Sequence, residues 1–403
     1  MKIVEINKVC FVGAGTMGCA NAVVAGLAGY KVVIYDISKA SLDLVPSRFK
    51  GIGDYIVAQN ICSQSAFDYV ISQIECSDDL NKATSDADLV SESVFESVDI
   101  KREVHARLDQ LCPPHTIITT NTSSIMVSEI QDVMSDDRGA LFAALHSHLG
   151  SVLIDIVGGV RTSQDTIDVL ERYVLSLNAV PLILKKENPG YVVNAMLGPV
   201  LTTAMLMRQK GEATIEEVDL AWMIQQGVPI GPFGLIDLFG INVIYDSWQK
   251  PRSTPNYEEN KADVMALVQP YIDRQELGAK SMKGFYQYPQ PSYQSEGFVE
   301  RSMGNSIDKN SSLLCSTLIQ NAIQLAANEV ASPEVIDGAW KVAMSVSKGP
   351  FELLKEQGHE PFLQQLDAQI HEGWFSEELA LPIKAYLKSM PAYEADDGPL
   401  SAA

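Results

Sequence analysis

No run of eighteen apolar residues occurs anywhere in the 403-residue chain, so no segment has the length that a membrane-spanning helix needs. Met1-Lys2-Ile3-Val4-Glu5 opens without the apolar core of a signal peptide, and the expected location is the cytoplasm. Cysteine is sparse. Cys10, Cys19, Cys62, Cys76, Cys112 and Cys315 form no C-x-x-C pair and no metal-type spacing, so no metal site is expected. Cys10, inside an apolar run, reads as a buried and inert thiol. Positive charge is short as well: 30 Lys and Arg stand against 51 Asp and Glu. The resulting net charge of −21 argues against nucleic acid or an anionic membrane surface as a partner, although its bland reading is simply solubility. An anionic small molecule would have to find its basic partners concentrated at one site. In other respects the composition is ordinary. With 46% of residues apolar and 20% charged, a large core is available, and the length suits two or three domains.

The stretch from Lys8 to Asp36 carries the most information. The apolar run Val9-Cys10-Phe11-Val12 leads into Gly13-Ala14-Gly15-Thr16-Met17-Gly18, then a helical pattern to about Gly29, then Val32-Val33-Ile34-Tyr35 and Asp36. Strand, glycine turn, helix, strand and terminal acid are the full context of a Rossmann dinucleotide-binding fingerprint. Gly13 permits the tight turn, Gly15 lets backbone approach a pyrophosphate, and Gly18 allows close packing of helix on strand. The helix start at Thr16 and Met17 offers unpaired N–H groups to phosphate. Asp36 is placed to accept hydrogen bonds from the adenosine ribose and would repel a 2′-phosphate. No Arg follows it in Ile37-Ser38-Lys39, so the expected cofactor is NAD rather than NADP, with Lys39 the one contrary residue.

Alternating strand and helix patterns continue to about Leu184, through Ala87-Asp88-Leu89-Val90, Thr116 to Thr120, Leu141 to Leu145 and Val180 to Ile183. The fold class is therefore α/β, with an N-terminal doubly wound sheet. Beyond the break at Asn188-Pro189-Gly190 the texture is helical, and it repeats. Glu217 to Trp222 is matched 118 residues later by Val335 to Trp340, and Gly231-Pro232-Phe233 by Gly349-Pro350-Phe351. Such a shared spacing implies duplication. Gln290 to Asn310, rich in Ser, Gln, Asn and Pro, reads as the linker.

Four constellations could carry chemistry. Glu92 to Ser97 with Lys101 lies just past a strand, where open α/β sheets face their ligand crevice; the alternative is a salt-bridged helix start. Asn121-Thr122-Ser123-Ser124 follows another strand and could hold a substrate oxygen or cap a helix. His146 and His148 sit at a third strand end, and His is the side chain best suited to proton exchange near neutral pH. Asp155, alternating with apolar residues, needs a partner when buried, and a His is a natural one. Asn194, just inside the next helix, is either a helix–helix hydrogen bond or a site residue.

In order, Gly13-x-Gly15-x-x-Gly18, Glu92 to Lys101, Asn121 to Ser124, Leu145-His146, Pro189 to Asn194, Gly231-Pro232-Phe233 and Leu277-Gly278-Ala279-Lys280-x-x-x-Gly284-Phe285-Tyr286 resemble the 3-hydroxyacyl-CoA dehydrogenase family over residues 1 to about 288. Residues 313–390 resemble a second, degenerate copy of that family's helical C-terminal domain. The resemblance implies an NAD-binding domain over 1–187 and a helical domain over 188–288. A linker over 289–312 and a second all-α copy over 313–403 would follow. It implies interconversion of an L-3-hydroxyacyl-CoA and its 3-ketoacyl-CoA. His146 would be the general base, and Asp155 its orienting acid where the family has Glu. Ser123 and Asn194 would hold the reacting oxygen and the thioester carbonyl, while Glu96, Lys101 and Asn121 would belong to the cofactor side. The position matching Asn194 in the second copy is Ser312, so that copy is expected to serve packing. Family helical domains pair across a dimer; a covalent second copy makes a monomer possible beside a homodimer.

Two departures bear on function. Ser147-His148-Leu149-Gly150-Ser151 replaces the family's aromatic–Asn–Pro segment and is about three residues short, and Asp155 is one methylene shorter than Glu. The expectation is that these changes compensate one another. Basic residues for CoA are few: beyond Lys39, Arg48 and Lys50 are the candidates for substrate phosphate. A free 3-hydroxy acid or a carrier-linked hydroxyacyl group is therefore the alternative substrate, and an NAD(H)-binding protein without catalysis is the alternative of another class.

Overall fold

β-Branched and aromatic runs become strands where the sequence places them. The computed structural model describes residues 5–148, 150–249, 257–300 and 306–389. It divides into two compact units, Met1–Tyr191 and Val192–Ala403.

The first unit is built on one eight-stranded sheet. Its strands are β1 (Lys8–Val12), β2 (Lys31–Tyr35), β3 (Glu75–Ser77), β4 (Leu89–Glu92), β5 (Ile117–Thr120), β6 (Phe142–Ser147), β7 (Leu153–Gly158) and β8 (Val180–Leu184), in the order β3-β2-β1-β4-β5-β6-β7-β8. Neighbours are parallel except β6 and β7. The exception follows from length. The short connection between Ser147 and Leu153 can turn a hairpin but cannot make the crossover of a dozen or more residues that a parallel pair needs. The order reverses between β1 and β4, the switch point where doubly wound sheets bind ligands. Both faces are buried: Val9, Phe11, Ile34, Leu89, Ile117 and Ile156 on one join a core with helix Thr16–Leu27 and helix Gln164–Ser176, and Cys10, Val33, Val90, Ile118 and Val157 lie buried on the other. Cys10 is fully buried and burial pushes its thiol well up, as an inert core residue requires.

β3 escapes sequence reading because Glu-Cys-Ser is short, largely exposed and without apolar alternation. It is paired at the edge because β2 supplies a template, not because its own residues favour a strand.

The second unit is helical, and its repeat is visible in the element bounds. Helices Ile215–Gln226 and Pro232–Phe239 recur 118 positions later as Pro333–Met344 and Pro350–Gln357. Helix Val193–Gln209 ends where Ser306–Ala327 ends in that register, and Ile241–Gln249 begins where His359–His371 begins. One device recurs too. Buried Asp219 accepts from the backbone N–H of Phe233 (2.8 Å) and Gly234 (3.0 Å), and Asp337 accepts from Phe351 (2.8 Å) and Glu352 (3.0 Å). Each carboxylate thus caps the helix that follows the Gly-Pro-Phe turn. Gly231 and Gly349 press against these aspartates so closely that no Cβ fits.

Of the expected linker over 289–312, residues 301–305 lie outside the described residues. Ser292 Oγ donates to Glu216 Oε1 at 2.7 Å, Tyr293 and Phe298 are buried, and helix Ser306–Ala327 runs across the boundary at 312. Polar composition misleads there because tertiary burial of Asn310, Leu313 and Leu314 overrides local propensity.

Gly231→Ala and Gly349→Ala should each destabilise the protein by about 2–3 kcal/mol through overpacking against the capping aspartate. Urea denaturation checks this; a midpoint equal to wild type for both would show that the turns relax freely.

Candidate active site

The glycine turn fits a dinucleotide. Gly13 takes φ +111°, and a Cβ there would lie 2.6 Å from the Ser93 carbonyl oxygen, so the ends of β1 and β4 meet closely. A Cβ on Gly15 would meet nothing within 4 Å, which leaves the space above that backbone open to a ligand. Gly15 also caps helix Thr16–Leu27 with no side-chain bond, so the first-turn N–H groups at Thr16 and Met17 stay free for phosphate. Gly18 packs on the Gly13 carbonyl, where any Cβ would collide. Asp36 Oδ2 accepts from Ala14 N and its Oδ1 from Ser38 N, both at 2.8 Å. Two carboxylate oxygens offer about four lone-pair sites, so acceptor capacity for ribose hydroxyls remains.

Arg48 and Lys50, expected to meet substrate phosphate, each have partners within the first unit. Arg48 Nη1 donates to Ala14 O (2.7 Å) and Ser41 O (2.8 Å), bracing the glycine turn. Lys50 is exposed and pairs with Asp54 at 3.3 Å along its own helix.

Beside the turn lies a buried charged network. Glu92 ends β4 with no exposed surface. Its Oε1 accepts from Lys101 Nζ (2.7 Å) and Val94 N (2.6 Å), its Oε2 from Thr120 Oγ1 (2.7 Å), with His105 Nε2 at 3.0 Å. Burial alone would raise this carboxyl, yet His105 and Lys101 outweigh it and hold it at about 2. Lys101 also reaches Glu96 Oε2 at 3.3 Å, and Glu96 Oε1 accepts from Thr122 Oγ1 and from Ser124 Oγ (2.7 Å). Burial works against that charge as well, but Lys101 and the two hydroxyls keep it ionised, below its ordinary value.

The segment after β5 ties the crevice together. Asn121 N donates to Glu92 O at 2.8 Å, and Asn121 Oδ1 accepts from Ser147 N at 2.9 Å, linking the ends of β4, β5 and β6. Ser123, half-buried, accepts the Gly190 N–H on its carbonyl (2.8 Å), and Tyr191 Oη donates to Thr122 O (2.7 Å). The Tyr191 ring lies 5.6 Å from the imidazole of His146.

His146 and Asp155 face one another directly across the β6–β7 hairpin. His146 Nδ1 lies 2.8 Å from Asp155 Oδ2. A directly opposed pair brings Cα atoms within about 4.5–5.5 Å, a span that the shorter acid can bridge. His148 Nε2 lies 2.8 Å from the same oxygen. Burial would raise Asp155, but these two imidazoles reverse the shift and hold it below the usual carboxylate range. An ionised carboxylate only accepts, so both nitrogens donate, and the neutral form of His146 carries its lone pair on Nε2. The three ligand atoms lie within 4.8 Å of one another, a spacing that also suits a cation, but both nitrogens already point their protons at the oxygen. Asn194 lies half-buried on helix Val193–Gln209 of the second unit.

With the site described, comparison gives its class. Residues 8–187 match the 3-hydroxyacyl-CoA dehydrogenase NAD binding domain, and residues 190–288 match the C-terminal domain of the same family. The protein is an NAD-dependent oxidoreductase. A probable 3-hydroxyacyl-CoA dehydrogenase of Caenorhabditis elegans is 31% identical over 297 residues, covering 70% of this chain and 93% of the relative. Human mitochondrial hydroxyacyl-coenzyme A dehydrogenase is 30% identical over 302 residues, with 71% and 93% covered. A solved diketoreductase is 32% identical with a TM-score of 0.64 over 71% of this chain and all of that one. The solved 3-hydroxybutyryl-CoA dehydrogenase of Escherichia coli, 19% identical, shares the fold over 96% of this chain and all of its own (TM-score 0.75). The chain belongs to the 3-hydroxyacyl-CoA dehydrogenase family, and among the described residues no helix is long and apolar enough to cross a membrane.

Sequence reasoning passed over His105, Tyr191 and the contact of His148 with Asp155. A signal existed for the last: residues two apart along an extended segment share a face, so His146 and His148 project from the sheet face that also carries Asp155, the residue opposite His146.

Glu92→Gln should cost about 3 kcal/mol of stability, because it leaves Lys101 buried with half its counter-charge gone. Glu92's depressed folded value means that its contribution is complete above about pH 4.5 and fades as pH falls toward about 2. The variant should therefore lose less stability than wild type between pH 5 and about pH 3. Denaturant titrations at several pH values read both effects; parallel curves would sink the assignment.

Proposed function

We propose that the protein oxidises an L-3-hydroxyacyl thioester, with acyl-CoA first, and reduces the corresponding 3-keto compound in reverse. NAD, when bound, supplies the hydride acceptor. His146 is the general base: Nε2 takes the proton of the substrate hydroxyl as the C–H bond breaks, and returns it in reduction. Asp155 holds the ring through Nδ1 and stabilises the imidazolium that forms. Ser123 and Asn194 bind the reacting oxygen and the thioester carbonyl. Gly13, Gly15, Thr16, Met17 and Gly18 cradle the pyrophosphate, Asp36 the ribose, and Glu96, Lys101 and Asn121 serve the nicotinamide side. The observation that supports this most is the 2.8 Å hydrogen bond from His146 to a fully buried carboxylate, which leaves a lone pair at a strand end of the crevice. An oriented base of this kind contributes about 10²–10⁴-fold.

A free 3-hydroxy acid is the second reading. The engagement of Arg48 Nη1 with the glycine turn favours it, since that nitrogen braces backbone rather than a CoA phosphate. We further propose that 188–288 and 313–403 are two copies of one helical domain, the second standing where a partner's copy would stand in a dimer.

His146→Ala should lower kcat by about 10²–10⁴-fold with NADH binding retained. Turnover is read by NADH absorbance with acetoacetyl-CoA and with a panel of free 3-keto and 3-hydroxy acids. Wild-type turnover by the variant would remove the base assignment, and activity confined to free acids would move the substrate class.

A further inference from the structure

We propose that His148 is a positioning residue that acts on the reaction through Asp155, fixing the short acid against His146 and drawing off part of its charge. The inference rests on the reading of His146 as the base. Three observations carry it. Both imidazoles meet the same atom, Asp155 Oδ2, each at 2.8 Å. The other oxygen, Oδ1, is buried with no hydrogen-bond partner among the described residues. The two rings pack edge to face with centroids 4.5 Å apart, which leaves little freedom to either.

The consequences follow from charge. An oxygen with one N–H donor would direct its charge at His146 alone. With two donors it is shared, so less is available to stabilise an imidazolium on His146. Sharing of this kind weakens the pull of Asp155 on a second proton at His146. Orientation is the second consequence. Asp155 lacks the methylene of Glu, and a single donor on a free carboxylate would let it turn toward its unpartnered oxygen. The second donor holds Oδ2 in line with Nδ1. The remaining titratable groups facing this cluster within the first unit are Tyr191 and, beside it, Glu96 and Glu187. Burial, together with Asp155 and the two glutamates, pushes the Tyr191 phenol well up, so it stays neutral through the range in question. Glu96 and Glu187 are present equally in every variant below.

The loop makes His148 available for this work. Ser151 N donates to His148 O at 3.1 Å and β7 begins at Leu153, so His148 stands at the start of a short connection.

The test compares His148→Leu, which removes the donor, with His148→Gln, whose amide nitrogen can take the place of Nε2. In the oxidative direction His148→Leu should lower kcat about tenfold with little change in substrate KM, and move the acid limb of the pH–rate profile upward by about one unit. His148→Gln should restore kcat to within about threefold of wild type, because a neutral amide donor still occupies Oδ2. Its acid limb should lie between those of wild type and the Leu variant. Wild-type behaviour in both variants would overturn the proposal, as would equal losses in both with an unmoved limb, the mark of simple packing. Should His148→Leu fail to fold, His148→Asn, whose amide falls short of the carboxylate, takes its place with the same outcomes. Nitrogen-15 histidine spectra read the His146–Asp155 coupling without turnover. A His146 titration unaltered by loss of the donor would therefore sink this inference, even if His146→Ala showed a different base at work.

Discussion

Glu92 is an ionised side chain with no exposed surface, and taking such a group out of water costs several kcal/mol unless charge and hydrogen bonds compensate. Here four donors surround it: the Lys101 ammonium, the His105 imidazole, the Thr120 hydroxyl and the Val94 amide. These donors come from the end of β5, the loop after β4 and the helix Val98–Leu111, the pieces that must be in register for a crevice to exist at the switch point. The network is therefore less a source of stability than a specification of position. Replacing it by apolar residues could leave stability unchanged, but nothing would then place Lys101 within 3.3 Å of Glu96, or Glu96 against Thr122 and Ser124. The loop bearing Ser123 inherits its place from that chain of contacts.

Asp155 is the second buried carboxylate of the unit, and the contrast between the two explains their separate uses. Both oxygens of Glu92 are taken up, one by a permanent cation, so its charge is spent locally. Among the described residues Asp155 has no Lys or Arg partner; its hydrogen bonds come from two imidazoles, and one oxygen has none. A carboxylate without a fixed counter-ion in a buried setting exerts its field on whatever positive charge develops nearby. On the proposed mechanism that charge is the imidazolium formed when His146 takes a proton. The same low dielectric makes the arrangement sensitive, since a change of one donor alters an interaction that water would largely screen.

Much of this was legible in the sequence, for identifiable reasons. The fingerprint is local: Gly13, Gly15 and Gly18 each answer a backbone demand within one turn, and Asp36 ends the next strand, so spacing alone carried the reading. The cap from Asp219 to Phe233 was not read as such, but its repetition at Asp337 and Phe351 was visible as a spacing. What was not legible depends on contacts far apart in the chain. Arg48 looks like a surface cation until Ala14, thirty-four residues earlier, is seen to offer it a carbonyl. His105 is one residue in a helical pattern, and its engagement follows only from the meeting of helix Val98–Leu111 with Glu92. Asp308 to Ser312 is polar enough for a linker, yet it lies within helix Ser306–Ala327, with Asn310 buried.

The helical repeat carries one further argument. Trp222 and Trp340 occupy matching positions in the two sets, and their rings meet at 6.3 Å and 89°. Likewise helix Val193–Gln209 packs on its own counterpart, Ser306–Ala327. A residue touches its equivalent only near a two-fold axis, the signature of an isologous interface between identical patches. Within this unit the two patches belong to one chain, so the contact forms at an effective concentration set by covalent linkage rather than by protomer abundance. Covalent linkage also frees the copies to diverge. Asn194 in the first set corresponds to Ser312 in the second, and the Ser312 carbonyl is engaged by Gln365 Nε2 at 3.0 Å. A symmetric dimer must keep every residue compatible with both of its roles at once. On the proposal that the two sets are copies of one domain, a fused pair has no such constraint, and Ser312 can stand where the first set has Asn194 while the contact between Trp222 and Trp340 persists.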